Sequence, residues 1–150
     1  MQNIPFEVIG LQADGFHIIT EIEIFDKKFK MVIDTGASKT VLDKETLLNS
    51  GINEEEFLNT DILSTGLGTN TMESFMITLP ILKLAEWQVK NFTAAVLDLS
   101  SINFAYNQIG LDPVIGVLGG DILKLYGARI DYRKNLLTLN QRKLNLNKRR

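Results

Sequence analysis

One carboxylate stands where a strand would not ordinarily place it. Asp34 follows the apolar run Met31-Val32-Ile33 and precedes Thr35-Gly36-Ala37-Ser38. Strands disfavour aspartate, and an ionised carboxylate in apolar surroundings is costly unless it is paired or hydrogen-bonded. Gly36 and Ala37 are small, so the backbone can turn tightly there and approach another chain or a ligand. Thr35 adds a hydroxyl able to bond across to a second copy of the same loop. A carboxylate so placed suits general acid–base work, although an aspartate that merely caps a turn at a strand end explains the tripeptide alone at least as well.

The other chemical candidates are weaker. His17 is the single histidine; no nucleophile elbow accompanies it, and it reads as a surface or rim residue. Asp131, ahead of Tyr132-Arg133-Lys134-Asn135, reads as part of a hairpin turn. Glu54-Glu55-Glu56 points three ways on a helix and suits an exposed helix start better than a cation site. Gly66-Leu67-Gly68 lacks the lysine of a phosphate loop. No metal site and no cofactor is expected.

The elements that must position Asp34 read as short strands. Ile18 to Phe25 alternates as a half-buried strand, Asp26-Lys27-Lys28 reads as a polar turn, and Phe29 to Ile33 returns as the second arm of a hairpin. Its apolar end at Met31–Ile33 suggests burial on both faces. Strand patterns recur at Phe75–Leu79, Trp87–Leu97, Arg129–Tyr132 and Leu136–Leu139. Asp43 can cap a helix over Lys44–Asn49, ended by Ser50-Gly51. Asn53 with Glu56 has the form of a capping box. Ser100 or Ser101 can open a helix that places Ile102, Ala105, Tyr106 and Ile109 on one face and stops at Gly110. A further helix is expected at Asp121–Tyr126. Many short strands with isolated helical turns argue for a small closed barrel or a sandwich.

Composition narrows the function classes. The 150 residues suit one domain, and 45% hydrophobic against 23% charged residues is ordinary for a globular protein with a real core. The formal net charge of -2 predicts neither nucleic acid nor membrane as a partner. With no cysteine, disulfides, thiolate metal sites and a cysteine nucleophile are excluded. The first residues have neither a basic start nor a long apolar run, so a cytoplasmic location is the default expectation.

With these elements in place, Ile33-Asp34-Thr35-Gly36-Ala37-Ser38-Lys39-Thr40-Val41-Leu42 strongly resembles the active-site segment of retroviral and retroviral-like aspartic proteases. Thr65-Gly66-Leu67-Gly68-Thr69 is similar to their glycine-rich flap. Val117-Leu118-Gly119-Gly120-Asp121-Ile122-Leu123 is similar to their apolar-apolar-Gly element and the short helix after it. Order and spacing agree from about Ile18 to Leu139.

The resemblance implies an all-β, closed acid-protease (retropepsin-like) barrel with a few short helices, spanning residues 1–140, with 141–150 as a basic tail. It implies an endopeptidase whose catalytic set is Asp34, Thr35 and Gly36. Thr35 would join a threonine network tying two active-site loops together, and Gly36 would contact substrate backbone. Ala37 would sit at the cleft floor, Val41 and Val117 would line side-chain pockets, and Gly66, Leu67 and Gly68 would form the flap tip. Gly119 would lie under the active-site loop, where a side chain would not fit, and Asp121 would cap the short helix. Amide hydrolysis by this route takes one carboxylate as base for water and a second as acid. Two carboxylates so close hold one proton between them. One Asp-Thr-Gly per chain therefore implies a homodimer acting on a peptide or protein substrate. Where viral enzymes pair an acidic residue after the alanine with an arginine after the glycine, this chain has Ser38 and Gly120, and the Ser100–Ile109 helix resembles an insertion. A non-catalytic peptide-binding or dimerisation module of the same fold is the alternative.

Overall fold

A computed structural model describes residues 1–11, 15–59 and 74–145. The first hairpin organises the rest. Strand β3 (Phe16–Ile24) turns at Phe25-Asp26 into β4 (Lys27–Ile33), with Ile18 opposite Ile33 and Ile24 opposite Lys27. Both turn residues have positive φ, 50° and 61°, the geometry that matches the right-handed twist of the two arms. The turn thus lies one residue earlier than the polar run Asp26-Lys27-Lys28 suggests. Phe25 occupies a turn position while its ring packs on the core, so its apolar character disguises the turn as strand.

Around this hairpin six strands close into a barrel, in the order β3, β4, β9 (Gly116–Leu118), β5 (Val41–Asp43), β8 (Trp87–Leu97) and β7 (Phe75–Leu84), with β7 returning to β3 through Glu23–Lys83 and Ile24–Leu82. Strand β2 (Glu7–Gly10) extends the sheet at one edge and β6 (Leu58–Asn59) at the other. Strands β1 (Gln2–Pro5), β10 (Arg129–Asp131) and β11 (Leu136–Leu139) form a separate small sheet. The all-β, closed retropepsin-like barrel with a few short helices is the observed fold.

Alternate residues of the strands fill the barrel: Ile22, Ile24, Met31, Leu42, Ile77, Leu79, Leu82, Leu84 and Trp87 are all fully buried. Each such side chain contributes roughly 1.5–3 kcal/mol of hydrophobic stabilisation. Strand β7 continues past Leu79 through Pro80, which cannot donate to a ladder. The register with β8 passes over Pro80 and Asn91, and Asn91 adopts a φ of 53°.

The helices are short. Asp43 caps α1 (Lys44–Asn49) by accepting from the Thr46 N–H at 3.2 Å. Its other oxygen accepts from Leu99 N at 2.8 Å, so one buried carboxylate also holds the approach to α2 (Ser100–Gln108). Helix α2 opens at Ser100, as expected, with Leu99 at the N-cap, and Asp98 just ahead of it accepts from Ser100 N at 2.9 Å. Asn53 starts a single 3-10 turn, Glu54–Glu56, by accepting from Glu55 N. Helix α3 is Gly120–Leu123, shorter than the expected Asp121–Tyr126, and its N-cap is Gly119, not Asp121. Over residues 141–145 the chain stays against the domain, with Leu144 N donating to Leu125 O at 2.7 Å. Among the described residues no helix is long and apolar enough to cross a membrane.

Candidate active site

Asp34 emerges at the end of β4, where that strand runs parallel to β9 with Ile33 beside Leu118. Its backbone N–H donates to Leu118 O at 3.0 Å, extending the seam by one residue. The chain then turns: Ala37 N donates to Asp34 O at 3.2 Å, and Gly36 N donates to the Asp34 carboxylate Oδ1 at 2.9 Å. A side chain kept half-buried at the mouth of an apolar seam is thereby given a fixed donor. Thr35 and Gly36 are exposed at the tip of this loop, and Ala37 is half-buried behind them.

The loop is seated on the β9–α3 junction. Gly120 N donates to Ala37 O at 2.7 Å and Asp121 N to Ser38 O at 3.0 Å. A Cβ on Gly119 would lie 2.5 Å from Lys39 O and 2.9 Å from Ala37 O, closer than carbon and oxygen approach, so only glycine fits beneath the loop. Asp121, expected to cap the short helix, instead turns its carboxylate to Thr40, accepting from Thr40 N and Oγ1.

Asp34 opens into a cavity of about 280 Å³ walled by Phe16, His17, Val32, Ile102 and Val117, among others. Val117 lines the same cavity as Asp34. Val41, although opposite Val117 in the ladder, lines a different groove with Lys39, Phe75 and Phe92. Gly66, Leu67 and Gly68 lie outside the described residues. Asp131 accepts from Arg133 N and Lys134 N, the hairpin role expected of it.

Three residues of this neighbourhood escape a motif-based reading. His17 would stand opposite Asp34 if the β3–β4 register ran one pair beyond Ile18–Ile33. Side chains alternate along a strand, so His17, Ile19, Val32 and Asp34 share one face of the hairpin, the face opposite the barrel core. On it a second, smaller apolar cluster forms from Ile19, Val32, Tyr106 and Val114, with Ile102 packed against it. Helix α2 thus builds a wall beside Asp34, and its Ile102-Ala105-Tyr106-Ile109 face was the available signal. Tyr106 bonds His17 Nδ1 through its hydroxyl at 2.6 Å.

A six-stranded closed barrel with Asp-Thr-Gly at a strand end defines the acid-protease class. The family profile described as aspartyl protease matches residues 20–122, and the chain belongs to that family. Among solved structures it is similar to a retropepsin-like aspartic protease from Rickettsia conorii, at 27% identity and a TM-score of 0.58, covering 95% of this chain and 91% of that one. The retroviral protease-like domain of Ddi1 from Leishmania major shares the fold, at 20% identity and a TM-score of 0.57 over 83% and 89% of the two chains. A search of curated proteins gives no match.

Proposed function

We propose that the protein is an aspartic endopeptidase that hydrolyses peptide bonds with a water activated by Asp34 and the Asp34 of a second copy. The observation that carries this reading is the make-up of the Asp34 cavity. Among its described lining residues Asp34 is the sole carboxylate, while the mechanism needs a base for water and an acid for the leaving nitrogen. The missing partner has a natural source in the exposed loop tip at Thr35 and Gly36. Two such loops facing each other across a two-fold axis bring the carboxylates together and let the Thr35 hydroxyls bond between copies.

In this reading one carboxylate takes a proton from water as the oxygen attacks the scissile carbonyl. The other, protonated, gives its proton to the carbonyl oxygen. The first then passes the proton it took from water to the departing amine, and the second takes one back from the tetrahedral diol as the C–N bond breaks, so the pair again holds one proton. Gly36 offers backbone to the substrate, Ala37 underlies it, and Val117 and Val41 serve as side-chain contacts. The flap role that the resemblance implies for Gly66, Leu67 and Gly68 belongs to the same reading.

The test is a dilution series against a fluorogenic peptide mixture, with sedimentation run in parallel. Specific activity is expected to fall as the dimer dissociates. Activity strictly proportional to concentration, in a particle shown to be monomeric, would remove the two-chain mechanism.

A further inference from the structure

The side chain nearest in sequence register to Asp34 is held in a defined state. His17 is half-buried at the wall between two cavities, the one containing Asp34 and a second of about 410 Å³ along α2. Its Nδ1 lies 2.6 Å from the Tyr106 hydroxyl. Tyr106 is 2% exposed, and among the described residues its hydroxyl has no other hydrogen-bond partner. A buried hydroxyl left without an acceptor is costly, so the phenolic proton goes to Nδ1. Burial also pushes the Tyr106 phenol up to about 12, keeping it a donor. With Nδ1 accepting, the ring proton sits on Nε2.

Among the described residues no hydrogen bond or ion pair joins that Nε2–H to Asp34 or to any other group, and it is not among the buried unpartnered atoms, so it is not fully sealed from solvent. Phe16, Val32, Ile102 and Val117 give the wall beside Asp34 apolar surface, and Thr35 and Tyr132 add hydroxyls to it. Among these polar groups His17 is the one oriented by a second side chain, Tyr106, and an oriented donor beside apolar surface confers orientation and selectivity on a ligand site.

We propose that His17 is a specificity-determining residue: clamped by Tyr106, it selects peptides carrying a hydrogen-bond-accepting side chain, carboxylate or carboxamide, next to the apolar residue seated beside Asp34. Tyr106 is a positioning residue, acting through the imidazole. The proposal rests on the peptidase reading for its chemistry, though its recognition step can be measured without hydrolysis.

The experiment uses one peptide frame with a fixed large apolar residue at the scissile position and Glu, Gln or Leu scanned at the flanking positions. At the position read by His17, the wild type is expected to favour Glu or Gln over Leu by about tenfold in kcat/KM, the scale of one oriented hydrogen bond. Glu and Gln together separate a carboxylate preference from a carboxamide one. His17→Phe should bring the ratio close to one. Tyr106→Phe should reduce it part-way, through KM more than kcat, since the ring survives but turns freely. Should His17→Phe not fold, His17→Ala carries the same expectation. A wild-type ratio near one at every flanking position, or a preference that survives loss of the imidazole, overturns the proposal. If no peptide is cleaved, calorimetric binding of the same set decides it. A His17-dependent preference in binding upholds the inference while the hydrolytic reading fails, and equal affinities overturn it.

Discussion

The Asp121 carboxylate grips Thr40 from 81 positions away in the chain: its oxygens accept from Thr40 N at 2.9 and 3.0 Å, and Oδ1 accepts from Thr40 Oγ1 at 2.7 Å. The Thr40 hydroxyl accepts in turn from Gly119 N at 3.1 Å. Thr40 is fully buried, so this network fastens the far end of the Asp34 loop to the β9–α3 junction. Removing either partner leaves polar atoms buried without a mate, which costs roughly 1–3 kcal/mol. Asp121→Ala and Thr40→Val should each lower the unfolding free energy measured by urea titration by that amount. The double variant should lose less than the sum, because both break the same contacts. Strict additivity in the cycle would show that the two side chains act separately.

The close approach of backbones beneath the site predicts a graded glycine series. A Cβ on Gly116 would fall on the Val41 carbonyl, backbone against backbone, and one on Gly119 would lie 2.5 Å from Lys39 O. Gly10 offers an ordinary 3.8 Å contact to the Phe16 ring. Gly116→Ala should therefore give little folded protein, Gly119→Ala should lose about 1–3 kcal/mol or more, and Gly10→Ala should stay within about 1 kcal/mol of wild type. Thermal unfolding of the three variants checks the order, and a Gly116→Ala protein as stable as Gly10→Ala would contradict the packing described.

Most of the barrel was legible because its signals are local. Alternation marked β3 and β4, Trp87–Leu97 matches β8 and Leu136–Leu139 matches β11, and Asp43 caps α1 as its residue type suggests. Strands β1 and β2 were not legible: four residues each, one ending in Pro5 and the other in Gly10, they are defined by partners such as Leu139 rather than by pattern. The site shows how one local misreading propagates. A turn at Asp26-Lys27-Lys28 would set Asp34 opposite Thr20, six residues either side. The actual turn at Phe25-Asp26 puts His17 there instead. Asp121 was seen as a near-site residue, but its bond to Thr40 joins distant segments and no spacing reveals it.

Alkaline pH should report on the Tyr106 clamp. Burial raises the phenol from its usual value near 10 to about 12, so the native state holds this proton where the unfolded chain releases it. The sign follows from linkage: between pH 10 and about 12 the native state binds more protons, and stability falls as pH rises. The contribution is complete below pH 10 and lost on passing through about 12, on the order of 2 kcal/mol in all. Burial raises Tyr126 as well, so tyrosinate absorbance should show two late-titrating phenols, one of which is absent from Tyr106→Phe, whose stability should decline less steeply over that window. A Tyr106 that titrates at the usual phenol value near 10 would mean α2 does not seal it.

Asp34→Asn gives the sharpest test of the proposed chemistry, because it keeps shape and the potential to accept from Gly36 N while removing the ionisable group. A catalytic Asp34 predicts a loss of roughly a hundredfold or more in turnover, with the dimer intact. The dimer should even tighten, since replacing both crowded carboxylates removes their repulsion. The wild-type pH–rate profile should be bell-shaped, because the pair works only while it holds a single proton. Mixing equal amounts of wild-type and Asp34→Asn chains extends the test to the dimer. After subunit exchange about a quarter of the dimers keep both carboxylates if pairing is random, so activity should drop towards that fraction rather than to one half. A fall to one half would mean that each chain acts alone. Full activity of purified Asp34→Asn protein would falsify the catalytic role, leaving an aspartate that shapes a turn in a peptide-binding barrel.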